Sequence, residues 1–159
     1  MVHTNKKGFT LIELLVVIAI IGILSSLAVV SLNNARAKAR DAKRVSDIRQ
    51  VQTALELFLG DRNGYPAGND LVLGAGAGAT LSEDNGFSAT VGGTAYMGRV
   101  PANPAPGGTD YKYTSYTSSA ATSICSAVPC AWYKIEFEIE DQTGGLPEGA
   151  HAADPSGIN

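Results

Sequence analysis

Hydrophobic and polar positions divide the chain into three stretches. From Leu14 to Val30 the sequence reads LLVVIAIIGILSSLAVV, and no charge falls between Glu13 and Arg36, so residues 14 to 35 are 22 uncharged positions in a row. A helix that crosses a bilayer needs about 20 apolar residues at about 1.5 Å rise each. The run is apolar all round, as a lipid-facing helix is. Further on, Val45, Ile48, Val51 or Gln52, Leu55 and Phe58 recur at three- and four-residue steps, with Leu59 beside them. That spacing predicts one buried stripe on a helix whose other face is charged. Phe9 to Leu59 holds no Pro and one Gly, so the two halves are expected to form a single helix of about 51 residues, roughly 75 Å long. Gly60 is the expected terminator, with Asp61 to Gly64 as a turn.

The third stretch changes period. In Trp132 to Glu140, Tyr133, Ile135, Phe137 and Ile139 share one face, and Lys134, Glu136, Glu138 and Glu140 the other. Strict alternation predicts a strand with one face buried, set on the helix stripe. Tyr111 to Thr117 is rich in strand formers, and Tyr96 to Val100 is a candidate third strand. Residues 60 to 110 hold twelve glycines, including Gly-Ala-Gly-Ala-Gly-Ala from Gly74 to Ala79. No strand precedes them and no helix with Lys-Ser/Thr follows, so they are expected to be flexible connecting loop and not a phosphate cradle. The tail from Gly144 reads as coil. The fold expected is therefore α+β: a long N-terminal helix packed on a small antiparallel β head. Its parts are a leader at 1–8, a transmembrane and assembly helix at 9–35, and a unit at 36–159. That unit holds the amphipathic half-helix, the Gly-rich loop at about 60–110, strands at about 111–140 and the coil tail.

Charge follows the same division. Residues 9 to 60 carry six basic and four acidic groups, net +2, whereas residues 61 to 159 carry four basic and eleven acidic, net −7. An acidic head argues against nucleic-acid binding by bulk electrostatics. The basic residues cluster on the helix instead, at Arg36, Lys38, Arg40, Lys43, Arg44 and Arg49, as a solvated face beside lipid headgroups. Ala35, Ala37, Ala39 and Ala42 allow close helix approach.

Glu13 is the exception within the apolar stretch, because a carboxylate there is costly unless it is paired. The order of features around it is also unusual. A secretory signal has basic residues, an apolar core and then a small-residue cleavage site. Here Lys6 and Lys7 lead, and the small residue, Gly8, comes before the apolar run. Cutting there would keep the helix in the mature chain. The stretch KKGFTLIELLVVIAIIGIL resembles the type IV pilin and pseudopilin family at nearly every position of its processing signal. KARDAKRVSDIRQVQTALELFLGDRNGYP is similar to the stalk of major pseudopilins, and VPANPAPGGTDYKY is a weaker echo.

The resemblance implies a structural subunit and not an enzyme: a prepilin cut between Gly8 and Phe9, N-methylated on Phe9 and polymerised through its helix into a pilus or secretion pseudopilus. It implies Glu13 as the group that sets register between helices. It implies a prepilin peptidase, other copies of the chain, other pilins, the inner-membrane assembly machinery and membrane lipid as partners. It places the prepilin in the plasma membrane as a single span, leader in the cytoplasm and head outside, and the product in a cell-surface or periplasmic filament. Lys and Arg are more numerous after the apolar run than before it, which alone would put the head inside. Many family members have a Pro and a local helix break near the end of the apolar run, where this chain has Val30, Ser31 and Leu32.

Cys125 and Cys130 lack the spacing of a redox C-x-x-C and lack zinc partners. In an exported head they are expected to form a disulfide. His3 and His151 stand alone. Asp61, Asn63 and the carboxylates around Glu83-Asp84 or Glu140-Asp141 could ligate calcium, as the resemblance implies for some pseudopilins, but their spacing fits no calcium loop, so they are read as solvated acids and no cofactor is expected. Two other readings remain at this stage: a single-span protein whose head binds a ligand without polymerising, and a DNA-uptake pilin that uses the basic cluster.

Overall fold

The computed structural model describes residues 8–159; the leader residues 1–7, with His3, Lys6 and Lys7, lie outside the described residues. Helix α1 runs from Leu11 to Arg62 without a break, and Val30, Ser31 and Leu32 are helical, in keeping with the absence of Pro there. Gly60 does not end the helix. The chain leaves it at Asn63, whose φ of 52° is left-handed and whose amide donates to the Leu59 carbonyl at 2.9 Å. Asn tolerates that conformation and closes the helix one turn later than a glycine rule suggests.

The chain divides into two compact units, residues 1–36 and 37–159. In the first, every large apolar side chain from Phe9 to Leu32 is at least 46% exposed. By length and composition this segment is apolar enough to cross a membrane.

In the second unit Ile48, Val51, Leu55 and Phe58 are fully buried, with Ala54 between them and Val45 and Leu59 at the margin. They share one core with Tyr133, Ile135, Phe137 and Ile139. These four are the inward residues of β6 (Trp132–Ile139), whose outward residues are partly or fully exposed. The strand pairs antiparallel with β5 (Lys112–Tyr116), Tyr113 opposite Ile135. Together with β1 (Leu71–Val72), β7 (Gly149–Asp154) and β8 (Gly157–Ile158) they form a five-stranded antiparallel sheet in the order β1-β5-β6-β7-β8.

The tail is thus strand and not coil from Gly149 onward. Its residues have little strand propensity, but β6 has a second edge of backbone groups to satisfy. Ala153 sits opposite Ile135 and is fully buried. The glycine-rich stretch is likewise structured. It holds a 3₁₀ turn at Gly76–Gly78 and a small sheet of β2 (Thr80–Ser82), β3 (Gly86–Ser88) and β4 (Ala95–Met97), in the order β3-β2-β4. Leu73, Leu81, Phe87 and Val100 add to the core. Gly74 has a φ of 83°, and a side chain there would run into the backbone of Ala102. The glycines permit tight turns and close backbone approach here instead of flexibility. The expected third strand is realised as β4, but in this smaller sheet.

Candidate functional site at the start of the helix

The site singled out by sequence is Gly8, Phe9 and Glu13. Gly8 and Phe9 precede α1, and Glu13 lies in its first turn. Phe9 is 87% exposed. A Cβ added at Gly8 would meet nothing within 4 Å, so nothing in the folded chain demands glycine there.

Thr10, which the spacing of the chain did not single out, joins this group through Glu13. Its backbone amide donates to Oε2 of Glu13 at 2.8 Å and its hydroxyl donates to the same oxygen at 2.9 Å. In return the Glu13 amide donates to the Thr10 hydroxyl oxygen at 3.2 Å. This is a capping box, and Thr-x-x-Glu before an apolar run is its signature. The Glu13 carboxylate therefore has partners within its own chain, while both residues stay exposed.

A second group of charges lies in the unit of residues 37–159. Asp41 and Arg44 are fully buried on the helix and in contact at 2.5 Å. Asp41 also accepts the amides of Glu140 and Asp141, at 3.0 and 2.8 Å. Arg44 donates to Asn103 Oδ1 at 2.7 Å and to the Gly107 carbonyl at 2.7 Å. Arg40 grips Glu140 through both carboxylate oxygens, at 2.9 and 2.5 Å. Hydrogen bonding from Arg40, with Arg44 adding to it, holds the Glu140 carboxyl down at about 2. Two of the six residues in the expected basic cluster are therefore internal fasteners and not a free surface. Their signal was present, since Asp41 and Arg44 are three apart on the face that continues to Ile48.

Cys125 and Cys130 are joined by a disulfide, with Cα atoms 5.8 Å apart. His151 lies on β7, its ring nitrogens 2.9 and 3.1 Å from the carbonyl oxygens of Pro147 and Asn159. Asp61 accepts the Tyr96 hydroxyl at 2.6 Å. That hydrogen bond is the main cause of the Tyr96 hydroxyl being pushed up to about 12. Among the described residues no three of His, Cys, Asp and Glu gather in a way that could hold a metal ion.

Comparison with known proteins bears on the same segment. The prokaryotic N-terminal methylation motif matches residues 3–29. The chain is 36% identical over 135 residues to the type II secretion system core protein G of Escherichia coli (strain K12), a match that covers 85% of this chain and 90% of that one. The chain belongs to the type IV pilin and pseudopilin family. It is also 36% identical over 136 residues to the core protein G of Pectobacterium carotovorum subsp. carotovorum, with 85% and 83% covered. To the type IV major fimbrial protein FimA of Dichelobacter nodosus it is 34% identical over 108 residues, with 68% and 63% covered. No solved structure matches the chain significantly. Membership makes this protein a structural pilin-type subunit, anchored by its apolar N-terminal helix. It implies assembly with other pilins into a surface or periplasmic filament and processing by a prepilin peptidase.

Proposed function

We propose that the chain is a prepilin cut between Gly8 and Phe9, N-methylated on Phe9, and stacked helix against helix in a type II secretion-like pseudopilus or a type IV pilus. The observation that carries this reading is the first turn of α1. A bare glycine is followed by a fully presented Phe9 and a Thr10–Glu13 capping box, and behind them the large apolar side chains of α1 are all uncovered as far as Leu32. The tolerance for bulk at Gly8 within the chain makes the need for glycine external, in the entry slot of a peptidase. The exposed apolar helix takes lipid as its first environment and neighbouring helices as its second.

Cleavage creates an ammonium group on Phe9, four residues from Glu13. In this reading the ammonium group of one subunit meets the Glu13 carboxylate of the adjacent one, and the pair sets the axial register as helices slide past each other. Registry is the best-attested use of a buried polar pair. The Thr10 hydrogen bonds keep the Glu13 carboxylate satisfied in the single subunit until that exchange. The leader lies in the cytoplasm and the head outside the plasma membrane, where the disulfide of Cys125 and Cys130 is stable. The inner-membrane assembly machinery is the further partner.

Mass spectrometry of the N-terminal peptide of the exported protein tests the reading. It should begin at Phe9 and carry one extra methyl group. A mature chain beginning at Met1, or beyond Val30, overturns it and returns the protein to a single-span anchor that does not polymerise.

A further inference from the structure

His151 is one of two histidines in the chain, and the filament reading makes no use of it. It stands on β7 opposite Phe137 of β6, partly buried, with the Phe137 ring centred 5.8 Å from its own. Its Nε2 lies 2.9 Å from the Pro147 carbonyl oxygen and its Nδ1 3.1 Å from the main-chain oxygen of Asn159. Both partners can only accept a hydrogen bond. A neutral imidazole carries one N–H, so it serves one of them and turns a nitrogen lone pair on the other. The imidazolium carries two and serves both. The arrangement is therefore complete in the cation alone, whichever tautomer the neutral ring adopts.

The two oxygens belong to different pieces of chain. Pro147 lies in the turn that leads into β7, next to the Thr143–Leu146 pair of backbone hydrogen bonds. Asn159 follows β8, an edge strand of two residues. Its amide donates to the Ala152 carbonyl at 2.8 Å, and its oxygen accepts the Ala152 amide at 3.2 Å as well as the ring. Asp110, Lys112, Lys134 and Glu136 line one open cavity with His151, Lys112 paired with Asp70 and Lys134 with Glu136. Glu138 lies opposite Ala150 on β6, Glu148 follows Pro147, and residues 157 to 159 carry no charged side chain. No cation without an ion pair is among these groups. Histidine changes charge between about pH 5 and 8. We propose that His151 is an acid-closed latch: the imidazolium ties both the Pro147 turn and the end of β8 to β7, and loss of its proton, as pH rises, frees the end of β8. The shorter bond, to Pro147, is the one the neutral ring keeps. In a head outside the plasma membrane, the latch makes the hold on this edge strand follow the pH of the medium.

Nuclear magnetic resonance of the full-length protein in detergent micelles tests this, with nitrogen-labelled histidine and with H151Q to assign the signal. Both ring N–H protons of His151 should be seen at about pH 5.5, and no more than one at about pH 8. Amide exchange, taken relative to an unstructured peptide at the same pH, should show the Asn159 amide about fivefold better protected at the lower pH, because a hydrogen bond from a charged donor is added there. In H151Q, whose side chain donates through one nitrogen at either pH, that difference should vanish, with protection across β5 and β6 unchanged. The measurement reads the single chain, so it stands or falls apart from cleavage and assembly. One ring N–H at the lower pH, equal protection of Asn159 at both, or a pH difference that survives in H151Q overturns the proposal.

Discussion

Arg44 and Glu140, 96 positions apart in sequence, meet at 2.6 Å, and the same guanidinium lies 2.5 Å from the fully buried Asp41. One side chain thus ties the end of β6 and the Asn103–Gly107 loop to the helix. Arg44→Met should destabilise the folded head by about 3–5 kcal/mol, because Asp41 is left charged and buried without its cation. Urea unfolding followed by tyrosine and tryptophan fluorescence measures this. A loss under about 1 kcal/mol would put the pair in the class of dispensable surface bridges.

The same cluster sets a pH dependence. Hydrogen bonding from Arg40, then from Arg44, lowers the Glu140 carboxyl from 4.5 to about 2. A depressed carboxylate contributes stability that is present above its unfolded value and is lost as pH falls through the folded one. The head should therefore lose stability progressively from about pH 4.5 to about pH 2. Burial pushes the Asp47 carboxyl up, and its protonation works in the opposite sense. Thermal midpoints of the parent and Glu140→Gln across this range separate the two, and the variant should show the flatter acid limb.

Removing residues 1 to 35 should yield a soluble, monomeric head. The continuous run of uncovered apolar side chains from Phe9 to Leu32 lies in the part removed, whereas Ile48, Val51, Leu55 and Phe58 are already covered. Sedimentation of the truncated protein is the check. Filaments from it would mean that the head, and not the helix, drives assembly.

Glu13→Leu should leave membrane insertion intact and cut filament number sharply. The change removes the most costly group of the segment, worth up to about 2.5–3.5 kcal/mol at a bilayer centre and less near its edge. Thr10→Val is the companion variant. It leaves the carboxylate but removes one of its donors, at a capping cost of about 1 kcal/mol, so filaments should still form, in reduced number. Fractionation and electron microscopy decide, and normal filaments from Glu13→Leu would end the registry role.

Replacing Cys125 and Cys130 together by Ser should cost about 2 kcal/mol, the low end for a cross-link that closes so short a loop. Intact mass after alkylation, with and without reductant, should show the parent thiols blocked in protein taken from the cell surface. Two freely alkylated cysteines would show that the bond does not persist there.

Local repetition carried most of what was legible in the chain before any fold was known. The 22 uncharged residues state a lipid-facing span through their length, and the stripe from Val45 to Phe58 and the alternation of β6 state their burial through spacing alone, because a helix and a strand impose fixed periods. The processing segment was equally legible, whereas the Thr10–Glu13 box, although written in the chain as Thr-x-x-Glu, emerged only from the hydrogen bonds of the folded first turn. Pairing across distance was not. Gly149 to Asp154 became strand because β6 had a second edge to fill, and strands of two or three residues at 71–97 are too short to show any period. Buried Asp41 and Arg44 look like any charged helix pair until Asn103, Gly107 and Glu140 close around them. Those contacts span 59 to 100 residues of sequence, so only the folded chain brings their groups together and removes them from water.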